Sequence, residues 1–259
     1  MSGQLGPAGG HEAVMRVTVL YPDRLNLYAD RGNVLVLAQR CRRRGIRLEV
    51  TALRLGDPVA DLAADLIYLG GGQDRDQQRC ATDLGQRRDG ILAALAGGAT
   101  VLGVCGGYQL LGHEYTTDGG VVVGLGLLDV VTSRPEGARL VGNVVVDLDR
   151  AAGLGPSDPA ATRPLVGFEN HHGRTTLGPA ARPLGTVRVG HGNNGTDGTE
   201  GAVAGRVIGT YLHGPLLAKN AWLADVLIER AVGGPLPRLA DPFEDAVHAR
   251  AVRAAGTGG

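Results

Sequence analysis

The sequence has few cysteines, few aromatic residues and no excess of either charge. Its three cysteines show no Cys-x-x-Cys spacing, which argues against both a disulfide framework and a structural zinc site. Lysine plus arginine equals aspartate plus glutamate at 26 each, so the chain has no electrostatic footprint for nucleic acid. Aromatic residues make up only 3%, and we therefore expect a core of Leu, Val and Ala, with tight turns among the 43 glycines.

Long apolar segments are also missing. No run approaches the ~18 apolar residues that a membrane span requires, and the first residues have neither the basic nor the apolar region of a secretory signal. We expect a cytoplasmic protein without membrane insertion. The 259 residues allow one large α/β domain or two small ones. We predict a disordered N-terminal tail over 1–14, one domain over 15–232, and a weakly ordered C-terminal tail over 233–259 with a short helix near 243–252.

Strands and helices alternate along the first half of the chain. Apolar runs predict strands at 16–21, 46–50 and 65–69, and Asn33 is predicted to cap the helix between the first two. This alternation predicts an α/β fold, a mostly parallel, doubly wound sheet flanked by helices, with active groups at the strand carboxyl ends. Beyond residue 120 the pattern changes to shorter strands, which we expect to be partly antiparallel.

One stretch places a nucleophile-type residue at a strand end. Thr100 to Val104 is an apolar run rich in β-branched residues, Cys105 follows it, and Gly106-Gly107 allows the chain to reverse into a helix. The pattern is typical of a nucleophile elbow, which presents its side chain on a strained turn. A thiol reacts as its thiolate, which a helix N-terminus and a nearby imidazole both favour. The alternative is that Cys105 is a small buried hydrophobe, the common fate of a free cysteine.

A second strand end runs into glycines. The strand at 65–69 is followed by Gly70-Gly71-Gly72, which leaves backbone N–H groups bare at the carboxyl edge of the sheet. These glycines form either a plain turn or half of an oxyanion hole, with the N–H of Gly106 as the other half. They are not a phosphate loop, because no Gly-Lys-Ser/Thr follows.

A histidine lies where a base for the cysteine would be needed. The last predicted strand, 206–212, ends at His213, just before a Gly-Pro turn, and an isolated strand-end histidine has either a structural or a catalytic role. His171 and His172 are weaker candidates.

These stretches resemble the motifs of a known family. Gly103-Val-Cys-Gly-Gly-Tyr-Gln109 and Gly209-Thr-Tyr-Leu-His-Gly-Pro215 are similar to the motifs of class I, triad-type glutamine amidotransferases, above all the CobB/CobQ-like branch shared with cobyric acid synthase. Four further stretches resemble the GatD family, the glutaminase subunits of lipid II isoglutaminyl synthases: 21–33, 70–74, 167–171 and 190–195. The resemblance covers roughly residues 16–232 and implies a flavodoxin-like fold.

The resemblance also implies a reaction. Cys105 would attack the side-chain amide of glutamine to form a glutamyl thioester and release ammonia. His213 would protonate the ammonia and then activate the hydrolytic water. The N–H groups of Gly106 and of the loop that contains Gly72 would bind the oxyanion.

Two further residues correspond to positions in the family's pocket. Arg139 matches the family's substrate-contacting arginine, and its guanidinium suits the α-carboxylate of glutamine; alternatively it is a solvated surface residue. Gln109 would support the pocket from the first helical turn, or it simply packs within the elbow. The resemblance implies no metal and no cofactor in this chain.

The sequence departs from the family at one position. Triad members carry Glu two residues after the catalytic histidine, whereas this chain has Pro215, a departure shared with the cobyric acid synthase branch. Either a Cys–His dyad suffices, or another acid orients His213. Asp23, Glu169 and Asp197 are the candidates.

The resemblance finally implies a partner. Formation of an amide requires an activated carboxylate, and this chain has no ATP-binding motif. The family implies a MurT-like, Mur-ligase-type subunit that holds ATP and Mg²⁺ and amidates the D-glutamate of lipid II at the inner face of the membrane, in a heterodimer. Two alternatives stay open: a glutaminase subunit for another acid, such as a corrinoid, and a catalytically silent scaffold for a ligase.

Overall fold

The computed structural model describes residues 13–26, 31–59, 61–155 and 163–256. Most of the N-terminal segment for which we predict disorder, residues 1–12, lies outside this range.

The central element is a six-stranded sheet with the strand order β13-β14-β4-β3-β1-β2. Its neighbouring strands run parallel except for β13, which is antiparallel to β14. All residues of β3 and β4 are buried, as expected of strands in the middle of a parallel sheet. The strands are β1 (Val14–Leu20), β2 (Arg47–Leu53), β3 (Leu66–Leu69), β4 (Thr100–Val104), β13 (Ala202–Ala204) and β14 (Val207–Thr210).

Helices pack on this sheet and on one another. They are α1 (Arg31–Arg42), α2 (Asp74–Gln86), α3 (Arg88–Ala96), α4 (Gly106–Leu111), α5 (Leu216–Lys219), α6 (Ala221–Val232) and α7 (Pro242–Gly256). Helix α1 contacts α5 and α6, α6 contacts β1 and β4, and α2 contacts α3 and α4. The predicted α/β fold with a parallel sheet and flanking helices is confirmed. Within the described ranges, no helix combines the length and apolar character that crossing a membrane requires.

Two smaller sheets come from the second half of the chain. One has the order β10-β7-β5-β6, with only β5 and β7 parallel, and the other, β12-β11-β8-β9, is antiparallel. A short 3-10 turn follows β8 at Arg150–Ala152. The strands are β5 (Glu114–Thr117), β6 (Gly120–Val123), β7 (Val130–Ser133), β8 (Leu140–Leu148), β9 (Leu165–His171), β10 (Arg174–Leu177), β11 (Gly185–Val189) and β12 (Thr199–Glu200).

The prediction that Asn33 caps a helix is wrong. Helix α1 already begins at Arg31, and Asn33 is buried within it. Its side-chain amide donates to the Tyr68 hydroxyl over 2.8 Å, and its Oδ1 accepts the N–H of Leu217 over 2.8 Å. Asn33 thus joins α1 to β3 and α5 instead of capping its own helix.

Helix α7 is longer than the segment 243–252 that the sequence predicts. It packs against β8 and β9, where Ala255 is buried beside Val145 and Val166. The segment before it is held by Arg40, whose buried guanidinium donates to Asp241 over 2.6 Å.

Candidate active site

Cys105 occupies a strained turn between β4 and α4. Its φ of 50° and ψ of −105° place a non-glycine residue in the positive-φ region, where L-residues pay roughly 1–3 kcal/mol. The turn is held from both sides, because Cys105 N donates to Thr210 O over 2.8 Å and Gln109 N donates to Cys105 O over 3.0 Å. Cys105 is buried, with 7% of its surface exposed. This is the geometry of a nucleophile elbow.

The glycines beside Cys105 allow β3 and α4 to approach closely. Gly107 N donates to Gly70 O over 3.1 Å, and a Cβ on Gly107 would lie 2.5 Å from the carbonyl oxygen of Leu69. No side chain fits in that space. The elbow glycine is therefore required by packing against β3 as well as by the turn.

The structure brings together the two glycines for which the sequence predicts an oxyanion role. A Cβ built on Gly106 would stand 2.9 Å from the backbone nitrogen of Gly72, so the loop after β3 touches the turn after β4. The backbone nitrogens of the two turns thus belong to one small region at the carboxyl edge of the sheet. Backbone N–H groups fixed in this way are the usual donors of an oxyanion hole.

Gln77 also lies in this region, and the sequence analysis did not single it out. Its side chain is buried, and its Nε2 donates to Gly72 O over 3.1 Å. The same amide packs against Gly106, where a Cβ would meet Nε2 at 2.8 Å. Gln77 therefore touches both glycines from α2. In the sequence, Gln77 is one polar residue among several in a predicted helix, and this pattern does not reveal a contact with residues far away in the chain.

His213 is fully buried, three residues beyond the end of β14. It forms a backbone bridge with Phe168, in which His213 N donates to Phe168 O over 2.9 Å and Phe168 N to His213 O over 3.1 Å. Because β14 is the parallel neighbour of β4, with Thr210 paired to Val104, His213 and Cys105 follow the carboxyl ends of adjacent strands.

Tyr211 connects this histidine segment to the elbow helix. The side-chain amide of the buried Gln109 donates to the Tyr211 hydroxyl over 3.2 Å, and that hydroxyl lies 2.6 Å from Thr175 Oγ1. Burial raises the pKa of the Tyr211 phenol, and the electrostatic interaction with Cys105 raises it further, so the two side chains lie within electrostatic reach. Gln109 thus links the first turn of α4 to the segment that leads to His213.

The weaker candidate His171 stacks on the same tyrosine. Its ring lies parallel to that of Tyr211, with the ring centroids 3.6 Å apart, and its Nδ1 lies 2.8 Å from Gly173 O. Burial lowers the pKa of His171, which favours the neutral imidazole. This arrangement makes His171 a packing partner of Tyr211.

Arg139 lies at the surface just before β8. Its Nε donates to Asn170 Oδ1 and its Nη2 to Asn170 O, both over 2.7 Å. These bonds fix an exposed guanidinium beside β9, the strand that also pairs with His213.

Of the three acids considered for the third catalytic position, Glu169 is fully buried. Its carboxylate oxygens accept the N–H groups of His191 over 2.7 Å and Gly192 over 2.9 Å. Opposed residues of an antiparallel pair share a face, so His213 lies on the side of Phe168 and Glu169 faces the other way. Glu169 therefore anchors the loop after β11.

The other two acids are at the surface. Asp197 accepts the side-chain amide of Asn194 over 2.6 Å and the backbone N–H of Thr199 over 2.8 Å, within one loop. Asp23 lies 3.9 Å from the guanidinium of Arg24. Among the described residues, no group of three or more His, Cys, Asp or Glu could hold a metal ion.

Comparison with known families gives a match over most of the chain. Residues 16–221 match the CobB/CobQ-like glutamine amidotransferase domain. The matched range includes both Cys105 and His213.

Curated relatives extend this match. The chain is 39% identical over 223 residues to the lipid II isoglutaminyl synthase (glutamine-hydrolyzing) subunit GatD of Staphylococcus aureus, covering 86% of this chain and 84% of that protein. It is 33% identical to the Streptococcus pneumoniae protein of the same name, covering 86% and 83%. A cobyric acid synthase of Pelotomaculum thermopropionicum is 33% identical over 78% of this chain but only 38% of its own length.

Solved structures share the fold at low sequence identity. PurLQS from Thermotoga maritima aligns with a TM-score of 0.52 and 16% identity over 85% of this chain and 98% of that one. The structure of SMU.1228c aligns with a TM-score of 0.52 and 17% identity over 94% and 98%. At this identity the likeness shows the fold alone.

Proposed function

The chain belongs to the CobB/CobQ-like glutamine amidotransferase family, and on that premise we propose that it is the glutaminase subunit of a lipid II isoglutaminyl synthase. The observation that carries the proposal is the 39% identity, over 86% of this chain, to a protein named as that subunit. The buried elbow cysteine beside the strand that leads to His213 supports the chemistry.

The first half-reaction belongs to Cys105. Its thiolate attacks the carboxamide carbon of glutamine, and the carbonyl oxygen becomes an oxyanion that the N–H groups of Gly72 and Gly106 bind. When the C–N bond breaks, His213 supplies the proton with which ammonia leaves, and a γ-glutamyl thioester remains on Cys105. The contact between the two glycine turns supports this assignment.

The second half-reaction returns the enzyme to its starting state. Water attacks the thioester carbon while His213 accepts a proton from it, and the collapsing intermediate releases glutamate and the thiolate. Gln109 supports the pocket from the first turn of α4, through its hydrogen bond to the Tyr211 hydroxyl. Arg139 binds the α-carboxylate of glutamine: Asn170 fixes the guanidinium through Nε and Nη2, which leaves the Nη1 donors for a charge-assisted hydrogen bond to a carboxylate.

The ammonia serves a partner subunit. The GatD relatives are named as subunits, which supports a two-component enzyme. We assign ATP and Mg²⁺ to a MurT-like, Mur-ligase-type partner, because this chain carries no Gly-Lys-Ser/Thr motif for phosphate. The partner would activate the D-glutamate α-carboxylate of lipid II at the inner face of the membrane.

The test is purification of the chain from its native host together with what it binds. We expect an ATP-dependent ligase subunit in the complex and glutamine-dependent amidation of lipid II. Cys105→Ala should lose the glutamine-dependent reaction and keep the reaction driven by added ammonium, because only the ammonia source is removed. A complex that releases no glutamate from glutamine would contradict the glutaminase role and favour a scaffold.

A second candidate function has one observation in its favour. The 33% identity to cobyric acid synthase would also fit amidation of a corrinoid acid. That match covers only 38% of the cobyric acid synthase, whereas the GatD matches cover 84% and 83% of their proteins. Amidation of a corrinoid acid, and not of lipid II, by the purified complex would select this alternative.

A further inference from the structure

One fully buried carboxyl group beside the candidate site has no role in the mechanism above. Glu200 ends the short strand β12 and is completely shielded from solvent. Among the ion pairs that join described residues, none includes Glu200. A buried carboxyl group without a cationic partner is costly to keep, so its hydrogen bonds must account for its presence.

Those hydrogen bonds all reach the end of β14 and the residue that follows it on the way to His213. The backbone N–H of Tyr211 donates to Glu200 Oε1 over 2.6 Å, and the Thr210 hydroxyl lies 3.1 Å from both carboxyl oxygens. The same hydroxyl accepts the N–H of Leu212 over 3.1 Å. One carboxyl and one hydroxyl group therefore fix three consecutive residues that lead directly to the histidine.

The opposite side of this segment holds the nucleophile. Thr210 O accepts the backbone N–H of Cys105 over 2.8 Å. The Tyr211 hydroxyl accepts a hydrogen bond from Gln109, one helical turn beyond the cysteine. The segment is thus clamped between the elbow on one side and Glu200 on the other, and His213 follows it.

The surroundings of Glu200 favour a neutral carboxyl. Burial raises the pKa of Glu200 to about 8, the hydrogen bonds from Tyr211 and Thr210 lower it, and the negative charge of Glu169 raises it. Tyr108 of α4 also lies within electrostatic reach of Glu200. A neutral carboxyl suits the geometry, because Glu200 Oε1 can accept both the Tyr211 N–H and the Thr210 hydroxyl without carrying a charge.

We propose that Glu200 is a positioning residue that sets the placement of His213 relative to Cys105 by holding the Thr210–Leu212 segment. The proposal rests on the proposed glutaminase function. Small displacements of catalytic groups reduce turnover strongly, by as much as ~100-fold for about 1 Å.

Two substitutions of similar size distinguish a positioning role of Glu200 from a role in packing alone. Glu200→Gln keeps a carbonyl oxygen that can accept from both the Tyr211 N–H and the Thr210 hydroxyl, whereas Glu200→Leu keeps only the volume of the side chain. In the complex with the partner, we expect Glu200→Gln to retain kcat within about twofold near pH 7, and Glu200→Leu to lower kcat at least about tenfold with little change in the KM for glutamine. Thermal unfolding of each complex checks that it is folded.

A pH profile adds a readout that a purely structural role would not move. Measured from about pH 6 to about pH 9, wild-type kcat should decline near pH 8 as Glu200 ionises, and Glu200→Gln should lack that component. If Glu200→Leu does not fold, Thr210→Val replaces it: it removes the bridging hydroxyl and should lower kcat without raising KM.

The outcomes are distinguishable. A wild-type complex that releases no glutamate contradicts the glutaminase function itself. An active wild-type complex whose folded Glu200→Leu or Thr210→Val variant has an unchanged kcat overturns the positioning role alone. Identical pH profiles for wild type and Glu200→Gln overturn it as well.

Discussion

The backbone N–H of Cys105 donates a 2.8 Å hydrogen bond to the carbonyl oxygen of Thr210. This bond continues the parallel pairing of β4 with β14 by one residue beyond the register Val104–Thr210. The strained cysteine and the segment leading to His213 are consequently fixed to each other through the main chain. A substitution that displaces either strand end acts on both groups.

Adding a methyl group to Gly106 should separate the two glycine turns. The Cβ of Gly106→Ala would lie 2.9 Å from Gly72 N and 2.8 Å from Gln77 Nε2, so one of them must shift. We expect kcat for glutamine hydrolysis to fall about 100-fold or more, the loss typical of a disrupted oxyanion donor. Gly85→Ala is the matched control, because nothing lies within 4 Å of its Cβ in α2. Equal activity in both variants would contradict the oxyanion assignment.

Removing the Gln77 amide should impair the same step. Gln77→Ala removes the hydrogen bond that holds the Gly72 carbonyl, and we expect kcat to drop about tenfold or more while the KM changes little. The adjacent Gln78 provides the control, since its amide donates to Thr117 over 2.9 Å, away from the glycine turns. Steady-state glutaminase kinetics compare the two. A lower kcat in Gln78→Ala, with an unchanged kcat in Gln77→Ala, would disprove this role.

Arg139 should act on binding and not on turnover. If its guanidinium binds the α-carboxylate of glutamine, Arg139→Ala should raise the KM about tenfold, equivalent to ~1.4 kcal/mol, and leave kcat within about threefold. Arg188→Ala removes another exposed arginine, one paired with Asp147, and should leave both constants unchanged. A KM for Arg139→Ala that matches the wild type would show that Arg139 is only a surface residue bonded to Asn170.

Glu200 should also make stability depend on pH. Its pKa is about 8 in the folded protein against 4.5 for an ordinary glutamate, so the folded state retains a proton that the unfolded chain releases. The stabilising contribution is complete below about pH 4.5 and is lost as pH rises toward about 8, by ~1.4 kcal/mol per pH unit. Glu200→Gln does not titrate. The difference in free energy of unfolding between this variant and the wild type should therefore shift in favour of the variant as the pH rises across that window. Urea denaturation at several pH values measures this difference. Free energies of unfolding that change with pH in parallel for the two proteins would contradict the raised pKa of Glu200.

Local patterns predicted the elements that hold the proposed site residues. The apolar run 100–104 followed by Cys105 and two glycines fixed the strand, the turn and the start of α4, because each feature is decided by neighbouring residues. The glycines after β3 and the histidine beyond β14 also follow strand ends that hydrophobicity alone reveals.

The residues that sequence reasoning missed act through distant partners. Asn33 looked like a helix cap, yet its partners are Tyr68 and Leu217, far away in the chain. Glu200 bonds Thr210 and Tyr211, which lie about ten residues further along the chain, on the far side of the β13–β14 hairpin. Which polar side chain becomes buried is decided by tertiary packing, and one sequence contains no direct signal for it.

The covalent intermediate tests the central claim most directly. Wild-type complex is mixed with glutamine, quenched rapidly with acid and digested, and the peptide that contains Cys105 is examined by mass spectrometry. The account predicts one glutamyl group on Cys105, absent when the substrate is omitted. Glutamate release at the wild-type rate from Cys105→Ala, or a glutamyl group found only on another residue, would contradict it.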